Sequence, residues 1–241
     1  MQQEIKPFVS VVIPAYNEEK RIKRVLENYI GFMNSVYGQI YEIIVVCNGC
    51  TDDTLKIVEE IRNKSPQLNL LVFKNKVGKG GAIIEGFKVA KGTFSGFVDA
   101  DESVSPPEFD KLLSVLKNSH ADGVIGSRKI EGAIIPINQS FKRLVASKIF
   151  NLFVRTLFSL PFKDTQCSAK LFKKYAIDKL LSKITLRGYG FDVELLWKAK
   201  KYNFQIEEIP IKWMHSDEGK FYYLKDGFAM GRDLLKLRLK R

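Results

Sequence analysis

The chain has 241 residues, 45% of them hydrophobic, and its 39 Lys and Arg against 27 Asp and Glu give a net charge of +12. That apolar share is enough to bury a sizeable core and excludes a disordered chain, while no stretch reaches the roughly 18 uncharged apolar residues of a spanning helix. The basic surplus favours anionic partners such as phosphorylated substrates, lipid headgroups or nucleic acid.

The first residues, Met1-Gln2-Gln3-Glu4-Ile5-Lys6-Pro7, lack the apolar segment of a secretion signal, which predicts a cytoplasmic protein. Phe8 to Ile13 reads as a strand and runs into Pro14-Ala15-Tyr16-Asn17-Glu18, which offers an aromatic ring to stack on a base and a carboxylate for a ribose or base donor. Ile22, Val25, Leu26, Tyr29, Ile30 and Met33 then recur on one helical face. Glu42 to Cys47 is the second strand, followed by Asn48-Gly49-Cys50-Thr51-Asp52, where the Asn48 amide either reads a base edge or closes a turn. Cys47 and Cys50 make a C-x-x-C motif with no second such pair, and His120 and His215 lie far away, so small residues in a tight turn account for it better than zinc or redox chemistry. An odd cysteine count fits a reducing compartment. Ile57, Val58 and Ile61 mark the next helix.

Leu68 to Phe73 is the third strand. Asn75-Lys76-Val77-Gly78-Lys79-Gly80-Gly81-Ala82 follows it, a glycine-rich turn that lets backbone amides and Lys79 approach an anion at a helix start, without the spacing of a Walker loop. The fourth strand, Phe94 to Val98, leads directly into Asp99-Ala100-Asp101. Side chains two apart on extended backbone point the same way, so both carboxylates can meet one cation. Hard oxygen ligands suit Mg²⁺ or Mn²⁺, which keep positions open for the phosphates of a nucleotide. Ser105-Pro106-Pro107-Glu108 fits a capping box at a helix start. Asp122 to Gly126 is the fifth strand, ending in Gly126-Ser127-Arg128, whose guanidinium either grips a phosphate with two bonds or sits solvated on the surface.

This β-α-β-α order predicts an α/β fold with a mainly parallel sheet covered by helices and ligands at the carboxyl ends of its strands. The second half opens on an amphipathic helical segment from about Ser140 to Leu160, with Phe141, Val145, Ile149, Leu152, Phe153 and Leu157 along one side. Gly132 to Lys163 holds Lys142, Arg143, Lys148, Arg155 and Lys163 and no acid, so the segment reads as an interfacial helix or as a core helix. Cys167 to Phe172 is a further strand and Phe191 to Ala199 a helix, on which Asp192 and Glu194 diverge and so cannot both aim at one atom, a solvated helix face being the plain alternative for them. Ile206 to Trp213 is an alternating strand, and Arg232, Lys236, Arg238, Lys240 and Arg241 make a basic tail. No repeat or linker interrupts the chain, which reads as one domain over residues 1–241.

Pro-Ala-Tyr-Asn-Glu, Asn-Gly-Cys-Thr-Asp-Asp-Thr, Gly-Lys-Gly-Gly-Ala, Asp-Ala-Asp and Gly-Ser-Arg, in this order and spacing, resemble the inverting family 2 glycosyltransferases of the GT-A fold. The likeness covers about residues 8 to 220 and is greatest to enzymes that glycosylate dolichyl or other polyprenyl phosphate. It implies that Pro14, Ala15, Tyr16, Glu18, Val46 and Asn48 hold the nucleoside of a nucleotide sugar, with Lys79 nearby. It makes Asp99, Ala100 and Asp101 the nucleotide-sugar site, and Asp99 and Asp101 the ligands of Mg²⁺ or Mn²⁺. Asp101, Arg128 and Lys220 become catalytic, with Arg128, Arg143 and Lys220 on the acceptor phosphate.

Two departures stand out. Asn48 replaces the aspartate that many relatives use for the base, and Met214-His215-Ser216 stands where mannosyltransferases carry an arginine. Asp164-Thr165-Gln166-Cys167 and Phe191-Asp192-Val193-Glu194-Leu195 look more like dolichyl-phosphate glucosyltransferases, favouring UDP-glucose over GDP-mannose. The resemblance thus divides the domain into a nucleotide-sugar part, 1–130, and an acceptor part, 131–241. A polyprenyl acceptor implies a peripheral enzyme on the cytosolic face of a membrane. No nucleic-acid-binding motif is present, and the basic stretches are interleaved with aliphatic rather than stacking residues, so nucleic acid is not an expected partner.

Overall fold

The computed structural model describes residues 6–136, 141–214 and 223–240, leaving the side chains of 141–146 and 223–225 outside that description. In chain order the elements are β1 (Val9–Ala15), α1 (Ile22–Tyr37), β2 (Tyr41–Asn48), α2 (Thr54–Arg62), β3 (Leu68–Phe73), α3 (Lys79–Val89), β4 (Phe94–Phe97) and α4 (Pro106–Asn118). They continue as β5 (Gly123–Ser127), α5 (Phe141–Phe158), β6 (Lys170–Lys173), α6 (Lys174–Leu181), α7 (Phe191–Lys201), β7 (Ile206–Pro210) and α8 (Tyr223–Leu239).

The strands form one sheet in the order β3-β2-β1-β4-β6-β5-β7, parallel throughout except for β6, which runs antiparallel to both β4 and β5. The mainly parallel α/β sheet expected from the sequence is therefore present. β1 and β2 are apolar on both faces because both faces are covered. Val9, Val11 and Ile13 join α1, α2 and α4 in one core; Val12, Ile44 and Val46 join α3, α6 and α7 in a second. On α1 the buried residues are Ile22, Val25, Leu26, Tyr29 and Met33, and each such side chain contributes roughly 1.5–3 kcal/mol on burial. Chain order runs outward from β1 through β2 to β3 and then jumps back across β1 to β4. That reversal opens a crevice at the carboxyl ends of β1 and β4, where open α/β sheets bind ligands.

At the opposite edge, Glu42 is buried and accepts from Ser10 Oγ at 2.6 Å, Lys91 N at 2.6 Å and Asn69 Nδ2 at 3.0 Å. These bonds satisfy an interior carboxylate and tie the strands together at the end remote from the crevice.

Several expectations need correction. The capping box at α4 does not form: Ser105 makes no side-chain cap bond, and Glu108 instead accepts from Lys212 N at 2.9 Å and pairs with Lys111 at 2.6 Å. The strand expected over Cys167 to Phe172 is confined to Lys170–Lys173. β7 stops at Pro210, which has no N–H to offer, although Ile211 and Trp213 stay buried and Lys212 exposed as alternation requires. On α5 the core-facing residues are Asn151, Val154 and Phe158, packed with α7 and α8, while Ile149 and Leu152 of the expected stripe are each 65% exposed. Asp192 and Glu194 are not on a solvated face but buried.

Candidate active site

β4 pairing extends past its end through the Val98 N–H to the Val12 carbonyl at 3.1 Å, which aims the next three residues into the crevice. Ala100 turns into the core, and Asp99 and Asp101 remain partly exposed. Asp101 Oδ1 accepts from Ser103 N at 3.0 Å. Burial, followed by the negative charge of Asp99, raises the Asp101 carboxyl above its ordinary range, so the two acids act on each other across the spacing read from the sequence.

Lys79 answers this charge. Gly78, at φ 82°, turns the chain into α3, and a Cβ there would meet the Arg187 carbonyl at 2.2 Å. The same carbonyl accepts from Gly81 N at 2.8 Å, so these glycines let the 187–188 segment pack against the helix start. Lys79 Nζ reaches Asp99 Oδ1 at 2.7 Å and Oδ2 at 2.9 Å. Burial alone would lower its pKa, but Asp99, with Asp192 and Asp101 behind it, outweighs that and holds the ammonium above the usual lysine range. Asp192 is itself buried and bonded to Lys170 Nζ at 2.6 Å. Lys170 is fully buried, also donates to the Cys167 carbonyl, and lies over the Phe97 ring.

Arg128 follows directly on β5. Its Nε and Nη2 bind Asp164 at 2.7 and 2.9 Å, its backbone N–H adds a third bond at 3.0 Å, and the guanidinium lies 5.2 Å from the centre of the Trp213 ring. The two-pronged grip expected for a phosphate is thus taken by a carboxylate, and Arg128 is no solvated surface residue. Burial would raise the Asp164 pKa, but Arg128 outweighs it and holds that carboxyl well below the usual carboxylate range. Glu208 in turn accepts from Asp164 N at 2.7 Å and Lys163 N at 2.8 Å, fixing the loop that carries Asp164. The negative charge of Asp99 adds to that of Asp164 in favouring the charged guanidinium.

The expected nucleoside residues divide into two groups. Tyr16 presents its ring at the end of β1 with Lys76 Nζ 3.9 Å from the ring centre, so a base stacking on that face displaces an ammonium. Glu18 pairs with Arg21, and its N–H donates to Thr54 Oγ1 at 2.6 Å. Pro14 is half-buried. Ala15, Val46 and Ala100, by contrast, bury their side chains in the two cores and back the crevice rather than line it. Asn48 is buried with its Oδ1 taken by Val77 N at 2.6 Å, so its carbonyl ties β2 to the turn before α3 instead of standing open to a base. Lys220 lies outside the described residues, and Arg143 falls on α5 with its side chain outside them.

Sequence reasoning missed the roles of Lys170, Asp164 and Tyr189. A lysine inside the run Cys167-Ser168-Ala169-Lys170-Leu171-Phe172 was the available signal of an inward charge. Tyr189 had none: it is an exposed residue between α6 and α7 whose pKa is raised by partial desolvation, with smaller effects from Lys79, Asp226, Asp99 and Glu18. A pair of mutually repelling carboxylates with Lys79 bonded to one of them offers hard oxygens and a cation suited to a divalent ion and a diphosphate. Among the described residues no cluster of three or more His, Cys, Asp or Glu is placed to hold a metal.

The profile of glycosyl transferase family 2 matches residues 10–181. The chain belongs to that family. It is 35% identical to the dolichyl-phosphate beta-glucosyltransferase of Saccharomyces cerevisiae over 99% of this chain and 76% of that one. It is 31% identical to the enzyme of the same name from Dictyostelium discoideum, over 97% of this chain and 74% of that one. Among solved structures, glucosyl-3-phosphoglycerate synthase from Mycobacterium tuberculosis, in complex with Mn²⁺, UDP and glucosyl-3-phosphoglycerate, superposes with a TM-score of 0.71. It shares 20% identity over 96% of this chain and 80% of that chain, a likeness of fold. This family 2 glycosyltransferase thus has the GT-A-like architecture expected from its motifs.

Proposed function

We propose that this glycosyltransferase moves glucose from UDP-glucose to the phosphate of dolichol or another polyprenol, inverting the anomeric carbon. The observation that carries the reading is the acidic pair Asp99 and Asp101 at the β1/β4 reversal, with Lys79 bonded to Asp99. The glucosyltransferase names of its relatives support the choice of sugar and acceptor.

Asp99 and Asp101 suit Mg²⁺ or Mn²⁺: hard oxygens, a like-charge pressure that a cation relieves, and room for outside ligands. Such an ion would supply charge neutralisation for the departing diphosphate. The chain's own residues do the rest. Tyr16 stacks the base once Lys76 has moved aside, and Lys79, at the α3 start, is placed to follow the diphosphate as negative charge builds. A lipid phosphate monoester has its second pKa near ~6, so an anionic oxygen is already available at neutral pH and no strong base is needed. Arg128, held rigid by Asp164, and Lys220 are assigned to keep that oxygen in line with the anomeric carbon.

The acceptor lives in a bilayer, and among the described residues no helix is long and apolar enough to cross one. α5 and α8 pack on each other and turn Ile149, Leu152, Phe228 (79% exposed) and Leu239 (81% exposed) outward beside Lys148, Arg232, Lys236 and Lys240. An apolar surface edged with cations fits docking on an anionic membrane from the cytosolic side.

Incubated with dolichyl phosphate, Mn²⁺ or Mg²⁺ and either UDP-glucose or GDP-mannose, the protein should yield a hexosyl lipid by mass only with UDP-glucose. A mannosyl product would reassign the donor, and transfer only to soluble glycans would reassign the acceptor. In flotation, the protein should rise with anionic liposomes and Leu152→Asp combined with Phe228→Asp should weaken this at least about a hundredfold, the worth of two buried apolar side chains. Equal flotation of the double variant would remove this surface from the docking role.

A further inference from the structure

Cys47 lies on β2 in register opposite Ala15 of β1. Cys50 returns to the same spot after a tight turn, where its Sγ donates to the Ala15 carbonyl at 3.4 Å and the two thiols share a hydrogen bond. The turn between them is pinned by contacts that involve neither sulfur. Gly49 sits at φ 69° with its N–H on the Phe73 carbonyl at 2.8 Å, and a Cβ there would meet Lys76 N at 2.9 Å. Asn48 holds Val77 N at 2.6 Å and Asn17 holds Thr51 N at 2.7 Å. The turn that brings Cys50 to Ala15, the register partner of Cys47, is therefore held by the backbone and not by the sulfurs. Their access differs: Cys47 is buried and Cys50 is half-buried, so only the second is open to a small reagent. Their chemistry differs in the same sense, because the hydrogen bond from Cys47 draws the Cys50 thiol below its ordinary pKa while raising that of Cys47. Cys167 is buried at a distance in sequence, with its pKa pushed up to about 11 mainly by burial.

We propose that Cys47 and Cys50 form an oxidisable dithiol site that reacts with small disulfides of the glutathione type and closes to an intrachain disulfide behind the Pro14 to Tyr16 turn. The Cys50 thiolate attacks one sulfur of the small disulfide, and the other sulfur leaves as a thiolate. Cys47 then gives up its proton and attacks the Cys50 sulfur of the mixed disulfide, expelling the second small thiol. Two protein thiols are oxidised and one small disulfide is reduced to two thiols. Contraction of the sulfur pair to about 2 Å pulls Cys50 off the Ala15 carbonyl. A second consequence rests on the nucleoside role proposed above for this turn: oxidation weakens UDP binding about fivefold, the worth of one hydrogen bond.

The test treats the whole protein with oxidised glutathione, alkylates the remaining thiols in denaturant and reads intact mass. Wild type should lose two hydrogens and keep one alkylatable thiol, Cys47→Ala should retain one glutathione, and Cys50→Ser should form no intrachain disulfide. Wild type that stays reduced, or that keeps glutathione on Cys50, overturns the site; the Cys50→Ser result stands in if Cys47→Ala does not fold. Titration of UDP into the reduced protein tests the nucleoside reading by itself. Where reduced protein binds UDP, equal affinity of the oxidised form overturns the coupling.

Discussion

Asp164→Ala should lower the melting temperature by about 10 °C and abolish glucosyl transfer. Asp164 is fully buried and takes three bonds from Arg128, so its removal leaves a largely enclosed guanidinium without its counter-charge. Breaking one side of such a pair costs about 3–5 kcal/mol, and for a chain of this size each kcal/mol shifts the midpoint by roughly 2–4 °C. Arg128 would then swing away from Trp213, taking with it the cation assigned to the acceptor phosphate. Asp164→Asn keeps the volume and an acceptor oxygen but not the charge, and should fall between the two. Thermal unfolding and lipid-product assays check both variants; a wild-type midpoint for Asp164→Ala would show that Arg128 is held by something else.

Asp101→Asn should behave in the opposite way, losing transfer by about a hundredfold or more while the fold is untouched. The asparagine carbonyl can still accept from Ser103 N, so the loop after β4 keeps its shape. What disappears is one of two charges facing the diphosphate, and removing one element of such a preorganised field commonly costs on the order of 10²–10³ in rate. Burial and the charge of Asp99 both work against the native carboxylate, so the substitution also relieves that penalty and the melting temperature should hold or rise. Initial rates and unfolding midpoints measured on one preparation decide the matter. Near-normal turnover would remove Asp101 from the catalytic set.

The first five strands and the acidic pair were legible because they are local signals: apolar runs, turn residues at their ends and a spacing of two. What stayed hidden depends on partners far along the chain. Arg128 and Asp164 are 36 residues apart, Lys170 and Asp192 are 22 apart, and nothing in either segment names its counterpart. The same limit explains why Asn48 reads as a base reader until Val77 is seen to occupy it. On α5 the error has a different origin. Asn151 sits on the buried side, where its Nδ2 donates to the Lys163 carbonyl at 2.8 Å, so a polar residue interrupts the core stripe; Phe153 and Leu157 of the apolar pattern still pack on the core while Ile149 and Leu152 face outward.

The antiparallel strand β6 stitches the two halves of the chain into one working unit. It fills the gap between β4 and β5, with Lys170 directly across from Phe97, two residues before Asp99. A fragment severed near residue 130 would keep both acidic groups and the aromatic ring of Tyr16, yet β4 would lose its neighbour and expose a raw sheet edge prone to self-association. The chain beyond residue 130 is therefore also a scaffold for the strands before it, and a fragment ending there should not stand as a folded unit.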